Sequence, residues 1–233
     1  MTEFRVALAG DDGTVRAAIE SAGGAVVGDA ASADALVTFG EEALVEAALA
    51  EPDAPVLPVA AGDGAHSVSK LGVDSALAAL AAGEAWTVDH PVLGVAVDGD
   101  RFRAVLDVTL LTAEPARISE YAVETREEPL AQFRSDGVVV ATPAGSSGYA
   151  RAAGGPVLTP GTGLSVVPIA PFTTKTETWV VDEPPTLTVE RDEAAVQLLV
   201  DDDAERRVPA GVPVELRVDD AVELLRVPRH REG

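Results

Sequence analysis

Residues 136–156 read DGVVVATPAGSSGYARAAGGP. The apolar run 137–141 has the look of a strand buried on both faces, and Thr142-Pro143 turns the chain out of it. Beyond that turn the segment is built from small and hydroxyl residues. Gly145 and Gly148 leave the backbone bare for close approach, Thr142, Ser146 and Ser147 carry hydroxyls, and Tyr149 offers an aromatic surface for a base. A helix starting near Ser147 would point free amides at a phosphate. The spacing therefore predicts a ligand loop, although Gly-Ser-Ser-Gly alone also suits an ordinary turn.

On both sides of this loop the chain reads as β-structure. Val92–Val97, the Asp98-Gly99 turn and Phe102–Leu111 form a hairpin signature. Further β-branched runs recur at 118–123, 164–169, 179–181, 187–189, 196–200, 214–218 and 222–227, separated by Pro, Gly and Asp, which predicts a β-sandwich. Before residue 90 the pattern is different. Apolar runs at 4–9, 25–27, 35–39 and 56–60 alternate with helical spacing at 12–22, 41–50 and 74–82, the signature of a parallel sheet covered by helices. The expected organisation is an α/β N-terminal domain over 1–88, an all-β sandwich over 89–228, and a patternless tail at 229–233. Ligands of such parallel sheets sit at the carboxyl ends of the strands.

Charge bounds the setting and the partners. The 233 residues carry 39 acidic and 17 basic side chains, a net charge of −22, and only Lys70 and Lys175 among the basic ones are lysines. Acidic residues are spread along the whole chain. At about 1 M salt the Debye length falls to about 3 Å and such self-repulsion nearly vanishes, so the composition predicts a halophilic, salt-loaded cytoplasm. Nucleic-acid binding is not expected without clustered Lys and Arg. The absence of cysteine removes disulfides, zinc-thiolate sites and cysteine nucleophiles. His66, His90 and His230 have no ligand spacing, and no metal ligands are assigned. Met1-Thr2-Glu3-Phe4-Arg5 runs straight into a strand, and no apolar run reaches the ~20 residues of a membrane span, so a soluble cytoplasmic chain is expected.

The longer string at 136–156 resembles the signature of the NAD kinase family: Asp-Gly, a short apolar strand, Thr-Pro-Thr-Gly-Ser-Thr-Ala-Tyr, then Gly-Gly-Pro. Ala144, Ser147 and Gly148 depart from it by small changes. Val167-Pro168-Ile169-Ala170-Pro171-Phe172 resembles the family's Pro-Ile-x-Pro-His segment, with Phe172 in place of His. The resemblance implies the two-domain fold above, a dinucleotide in the cleft, and nucleotide contacts from Asp136, Thr142, Gly145, Ser146, Ser147, Gly148 and Tyr149. It also implies NAD and ATP or polyphosphate as substrates, Mg²⁺ as cofactor, and a homo-oligomer built through the β-domain.

Two family motifs are degraded. Where the family has Gly-Gly-Asp-Gly-Thr, this chain reads Phe39-Gly40-Glu41-Glu42-Ala43, which leaves Gly40 as a nucleotide contact and Glu41 as the candidate catalytic base. The extra methylene of Glu moves its carboxylate by about 1 Å, and two acids there equally suit the N-terminus of a structural helix. The family's Asn-Glu pair falls on Asp107-Val108, so Asp107 takes the Asn position and the Glu is lost. Gly10-Asp11-Asp12-Gly13-Thr14 resembles the missing glycine loop but comes after an earlier strand, where Asp11 or Asp12 is expected to cap a helix. Gly62-Asp63-Gly64 stands where the family has a third glycine turn. Three functions fit these residues: an NAD kinase, a non-catalytic NAD(P)-binding relative, or a kinase for another small hydroxyl substrate.

Overall fold

A computed structural model describes residues 4–10, 13–114, 117–173 and 177–228. The chain forms two compact units, the first comprising residues 1–90 and 221–233 and the second 91–220.

The first unit contains β1 (Phe4–Ala9), α1 (Thr14–Ser21), β2 (Gly24–Val27), β3 (Ala35–Phe39), α2 (Glu41–Leu49), β4 (Val56–Val59) and α3 (Val73–Ala81). Its strands are parallel in the order β2-β1-β3-β4. Apart from Arg5 and Thr38 they are apolar, as expected where helices cover both faces of such a sheet. In α1, Val15, Ala18 and Ile19 stand three and four residues apart and are buried against Val6, Val37, Leu57 and Leu77. Leu224 lies beside Val56 in parallel register and Leu225 joins this core. Residues 221–228 thus belong with the α/β unit, whereas the sequence pattern assigns them to the sandwich. The sheet has a topological switch: β1 leads through α1 to β2 on one side, and β3 leads through α2 to β4 on the other. The loops after β1 and β3 therefore diverge from neighbouring carboxyl ends, where open α/β sheets form a crevice.

The second unit is built from β5 (Trp86–Val97), which enters it from the first, then β6 (Asp100–Ala104), β7 (Asp107–Thr112), β8 (Ser119–Glu124), β9 (Pro129–Ser135) and β10 (Gly137–Ala141). After these come α4 (Tyr149–Ala152), β11 (Leu164–Ile169), β12 (Trp179–Val181), β13 (Thr186–Arg191), β14 (Val196–Val200), β15 (Asp203–Val208) and β16 (Pro213–Arg226). One sheet runs β12-β11-β10-β7-β14-β15, and β13, β8 and β9 pair in the other with the first half of β16. Leu110, Val138, Val140, Leu198, Val123 and Leu187 fill the space between them, the expected sandwich core.

Two expectations change. The run 102–111 is two strands: β6 pairs with β5, and β7 with β10 and β14. The runs at 214–218 and 222–227 are one strand, β16. Strands β9 and β15 carry no legible pattern in the sequence. The Asp98-Gly99 hairpin forms as read, with left-handed φ of 48° and 89° at its two turn residues.

Candidate functional site

Strand β10 is buried on both faces, which is why its sequence does not alternate. Val138 and Val140 face the sandwich core. Val139 and Ala141 face outward, where Ala150 of α4 closes over them with Val167 and Ile169. Burying Ala150 folds the loop 142–149 back along the sheet and fixes which of its residues remain uncovered.

The hydroxyls of this loop divide by role. Thr142 Oγ1 donates to the carbonyls of Val105 (2.8 Å) and Leu106 (2.9 Å), and its amide donates to Leu106 O at 2.9 Å. Ser146 Oγ donates to Pro143 O and accepts from the amide of Leu158, both at 2.8 Å. Both side chains are fully buried, so their hydroxyls hold the loop's shape and do not face outward as the residue types suggest. Gly145 is likewise structural: a Cβ there would stand 2.1 Å from Leu106 O. By contrast Ser147 is half-buried, Gly148 is exposed, and Tyr149 keeps 37% of its surface uncovered. A Cβ on Gly148 would meet only Gly145 O, at 3.4 Å, so the open approach lies at this glycine.

Acidic groups gather around Tyr149. Partial burial, then the negative charges of Asp107, Asp136 and Asp202, raise its hydroxyl pKa above the usual value. Asp107 stands opposite Ala141 in the β7–β10 ladder, on the face that α4 covers. It is buried and accepts from Thr109 Oγ1 at 3.2 Å. The backbone of Asp136 is pinned by Thr112 N, Tyr121 Oη and Ile169 O. Three residues proposed for nucleotide contact, Asp107, Asp136 and Tyr149, are therefore within electrostatic reach of one another. Phe172, in the family His position, is 71% exposed.

In the first unit the two glycine loops touch. Gly10 (φ 67°) presses on the β3–α2 junction, where a Cβ would stand 2.7 Å from Phe39 O. Gly40, at φ 91° and ψ 165°, occupies a region essentially restricted to glycine. Its amide donates to Val59 O at 2.9 Å, and the first turn of α2 has no side-chain cap. Glu41 and Glu42 stand exposed in that turn. Gly13 takes the cap position of α1; Asp11 and Asp12, expected to cap it, lie outside the described residues, as does His230. The Gly62-Asp63-Gly64 turn lines a cavity of about 800 Å³ shared with Lys70 and Arg226. Lys70 Nζ sits 4.6 Å from the centre of the Phe39 ring.

Comparison with known proteins places this architecture. The family model for the ATP-NAD kinase C-terminal domain matches residues 106–227. The NAD kinase of Thermoplasma acidophilum is 31% identical over 193 residues, covering 79% of this chain and 70% of that protein. The chain belongs to the NAD kinase family.

The NAD kinase of Methanopyrus kandleri is 29% identical over 202 residues, 84% of this chain and 70% of that protein. A shorter match, 34% identity to the NAD kinase of Methanosarcina acetivorans, spans 52% of this chain and 42% of the relative. Among solved structures, yeast NADH kinase complexed with NADH superposes with a TM-score of 0.72 at 16% identity, covering 97% of this chain and 84% of that one. An NAD kinase from Archaeoglobus fulgidus in complex with ATP gives 0.67 at 18% identity, covering 98% and 95%. The NAD kinase fold is thus shared over the α/β region and the sandwich. Where the family's motif carries Glu, Val108 is fully buried in the sandwich core.

Sequence reasoning missed Asp201. Its carboxylate accepts the amides of Val105 (2.8 Å), Leu106 (2.7 Å) and Asp107 (3.0 Å), the same turn whose carbonyls hold Thr142. In sequence it is one member of an acidic run, and nothing local marks it out.

Proposed function

We propose that the chain is an NAD kinase, transferring a phosphoryl group from ATP or polyphosphate to the adenosine ribose 2′-hydroxyl of NAD to give NADP. The observation that carries this reading is the 142–149 loop: a family signature whose buried hydroxyls fix its shape and whose Ser147, Gly148 and Tyr149 stay open. Tyr149 would lie against a base, and Asp107 and Asp136 would accept hydrogen bonds from ribose hydroxyls. Gly40 would admit the nucleotide to the uncapped end of α2, and Glu41 would take the proton of the attacking hydroxyl. Phosphoryl transfer depends mainly on positioning and charge neutralisation. Among the described residues no three His, Cys, Asp or Glu side chains converge as metal ligands. Mg²⁺ needs only one or two protein carboxylates when it is bound with a substrate's phosphates, and here it would enter with those of the donor.

The second reading, a family member that binds NAD(P) without phosphorylating it, is favoured by one specific pair of observations. Glu42 replaces a family glycine in an exposed helical turn where acids are favoured by the helix dipole, and Val108 replaces the family Glu. Incubation with NAD, Mg²⁺ and ATP or polyphosphate in molar KCl, with an NADP assay as readout, separates the two. NADP formation that falls ~100-fold in Glu41→Gln supports the kinase with Glu41 as base. Binding of NAD without NADP selects the second reading, and neither binding nor turnover defeats both.

The reading includes a cytoplasmic, homo-oligomeric protein working at high salt without nucleic acid. With a net charge of −22, its melting temperature is expected to rise with KCl through the molar range. A melting temperature independent of KCl would contradict the halophilic part.

A further inference from the structure

Asp201 and Asp202 form the two-residue turn between β14 and β15, both at left-handed φ, 50° and 71°. Hairpin turns of this hand favour Asn-Gly or Asp-Gly, so a second non-glycine residue here is unusual. The turn aims the Asp201 carboxylate at the neighbouring corner between β6 and β7. There it accepts three successive amides, from Val105, Leu106 and Asp107, while its own amide donates to Asp107 O at 3.0 Å. The opposite side of the same corner carries the ligand loop: Val105 O and Leu106 O receive Thr142, and Gly145 packs on Leu106 O.

One peptide corner is thus gripped by a carboxylate on one side and seats the loop on the other. We infer that Asp201 is a positioning residue for nucleotide binding, fixing the Val105–Asp107 corner so that Thr142 and Gly145 hold Ser147, Gly148 and Tyr149 at a set height. This rests on the nucleotide-binding reading of that loop. Burial raises the pKa of Asp201 above the ordinary carboxylate range despite the three amides. A raised folded-state pKa means that its stabilising contribution is fully present below the ordinary value and is lost as pH rises through the raised one. Its ionised form is held against its own desolvation cost, and what the carboxylate secures through its three amide contacts is the geometry of the corner.

The test compares Asp201→Asn with wild type and with Asp203→Asn, an exposed carboxylate next to the same turn. Asparagine keeps the shape but turns a donor toward one of the three amides. Two readouts are needed: amide hydrogen exchange without ligand, and the dissociation constant for NAD. In Asp201→Asn the amides of Thr142 and Ser146 are expected to exchange about tenfold faster, the factor carried by one hydrogen bond, with those of Val138–Val140 unchanged. NAD binding is expected to weaken by about the same factor, and Asp203→Asn to match wild type in both.

Wild-type exchange at Thr142 and Ser146 in folded Asp201→Asn would overturn the inference. So would faster exchange with unchanged NAD affinity, which would leave Asp201 a purely structural role. If wild type binds neither NAD nor NADP, the functional reading fails, and with it the nucleotide part of this inference; the exchange data alone then decide whether Asp201 sets the loop. Should Asp201→Asn not fold, Asp201→Glu keeps the charge, moves the carboxylate by one methylene, and is expected to shift both readouts in the same direction.

Discussion

Val108→Glu, which writes the family residue back into the sequence, is expected to unfold the sandwich and to produce no gain in NADP formation. Val108 is fully buried and stands directly opposite Val140 on β10 and Val200 on β14, both members of the sandwich core. Side chains alternate along β7, so a glutamate at 108 points between the sheets while Asp107 points toward the loop. An uncompensated carboxylate there must either ionise in an apolar interior or remain protonated with unpaired oxygens. The expected loss is roughly 4 kcal/mol or more, a large part of the 5–15 kcal/mol of a typical domain. Thermal and denaturant melts in molar KCl measure it. A variant that melts like wild type and forms more NADP would mean that β7 can turn position 108 toward the ligand. The loss of the family Glu would then be a simple removal of function, not part of a repacked core.

Much of this fold is legible because burial and turn chemistry leave local traces. The unbroken run 137–141 announces a strand covered on both faces, and Asp98-Gly99 announces its hairpin. Elements whose identity depends on a partner leave none. The 102–111 run looks continuous, yet its two halves join different sheets, a choice set by pairing and invisible in side-chain pattern. Strand β15 exposes most of its residues and has no apolar face to betray it. Strand β16 reads as two strands because Asp219 and Asp220 interrupt the pattern; in the fold Asp219 pairs with Arg217 and lies over Gly94, where no side chain competes for the space. The site shows the same limit. Residue type announces hydroxyls at 142 and 146 but not their direction, and the inward turn of both is set by the carbonyls of residues 105, 106 and 143.

Gly145→Ala is expected to unseat the loop and weaken nucleotide binding by more than ~100-fold, while Gly148→Ala, three residues on, leaves the fold and stability of the loop intact. The two glycines look equivalent in sequence and differ in what a methyl group would strike. At Gly145 the new Cβ would lie 2.1 Å from Leu106 O, 2.5 Å from its carbonyl carbon and 3.0 Å from its Cα. These are backbone atoms with no rotamer to escape into, and the corner that carries them is tied to Asp201 and Thr142. Relief requires the loop to lift, which breaks the Thr142 bonds and leaves buried carbonyls unpaired at about 1–3 kcal/mol each. A stability loss of roughly 2–4 kcal/mol and a rise of more than ~100-fold in the NAD dissociation constant are expected, since a misplacement near 1 Å already has such an effect. At Gly148 the nearest atom to a new Cβ is 3.4 Å away and the family signature itself carries alanine there; its φ of −90° and ψ of −124° lie between the α and β regions, so alanine is accommodated by a local turn of ψ and not by lifting the loop from Leu106. Calorimetric titration of both variants with NAD, beside their melts, reads the contrast. Wild-type affinity in Gly145→Ala would show that the loop binds nucleotide without its seat on Leu106, and the assignment of Ser147, Gly148 and Tyr149 as its open face would fall with it.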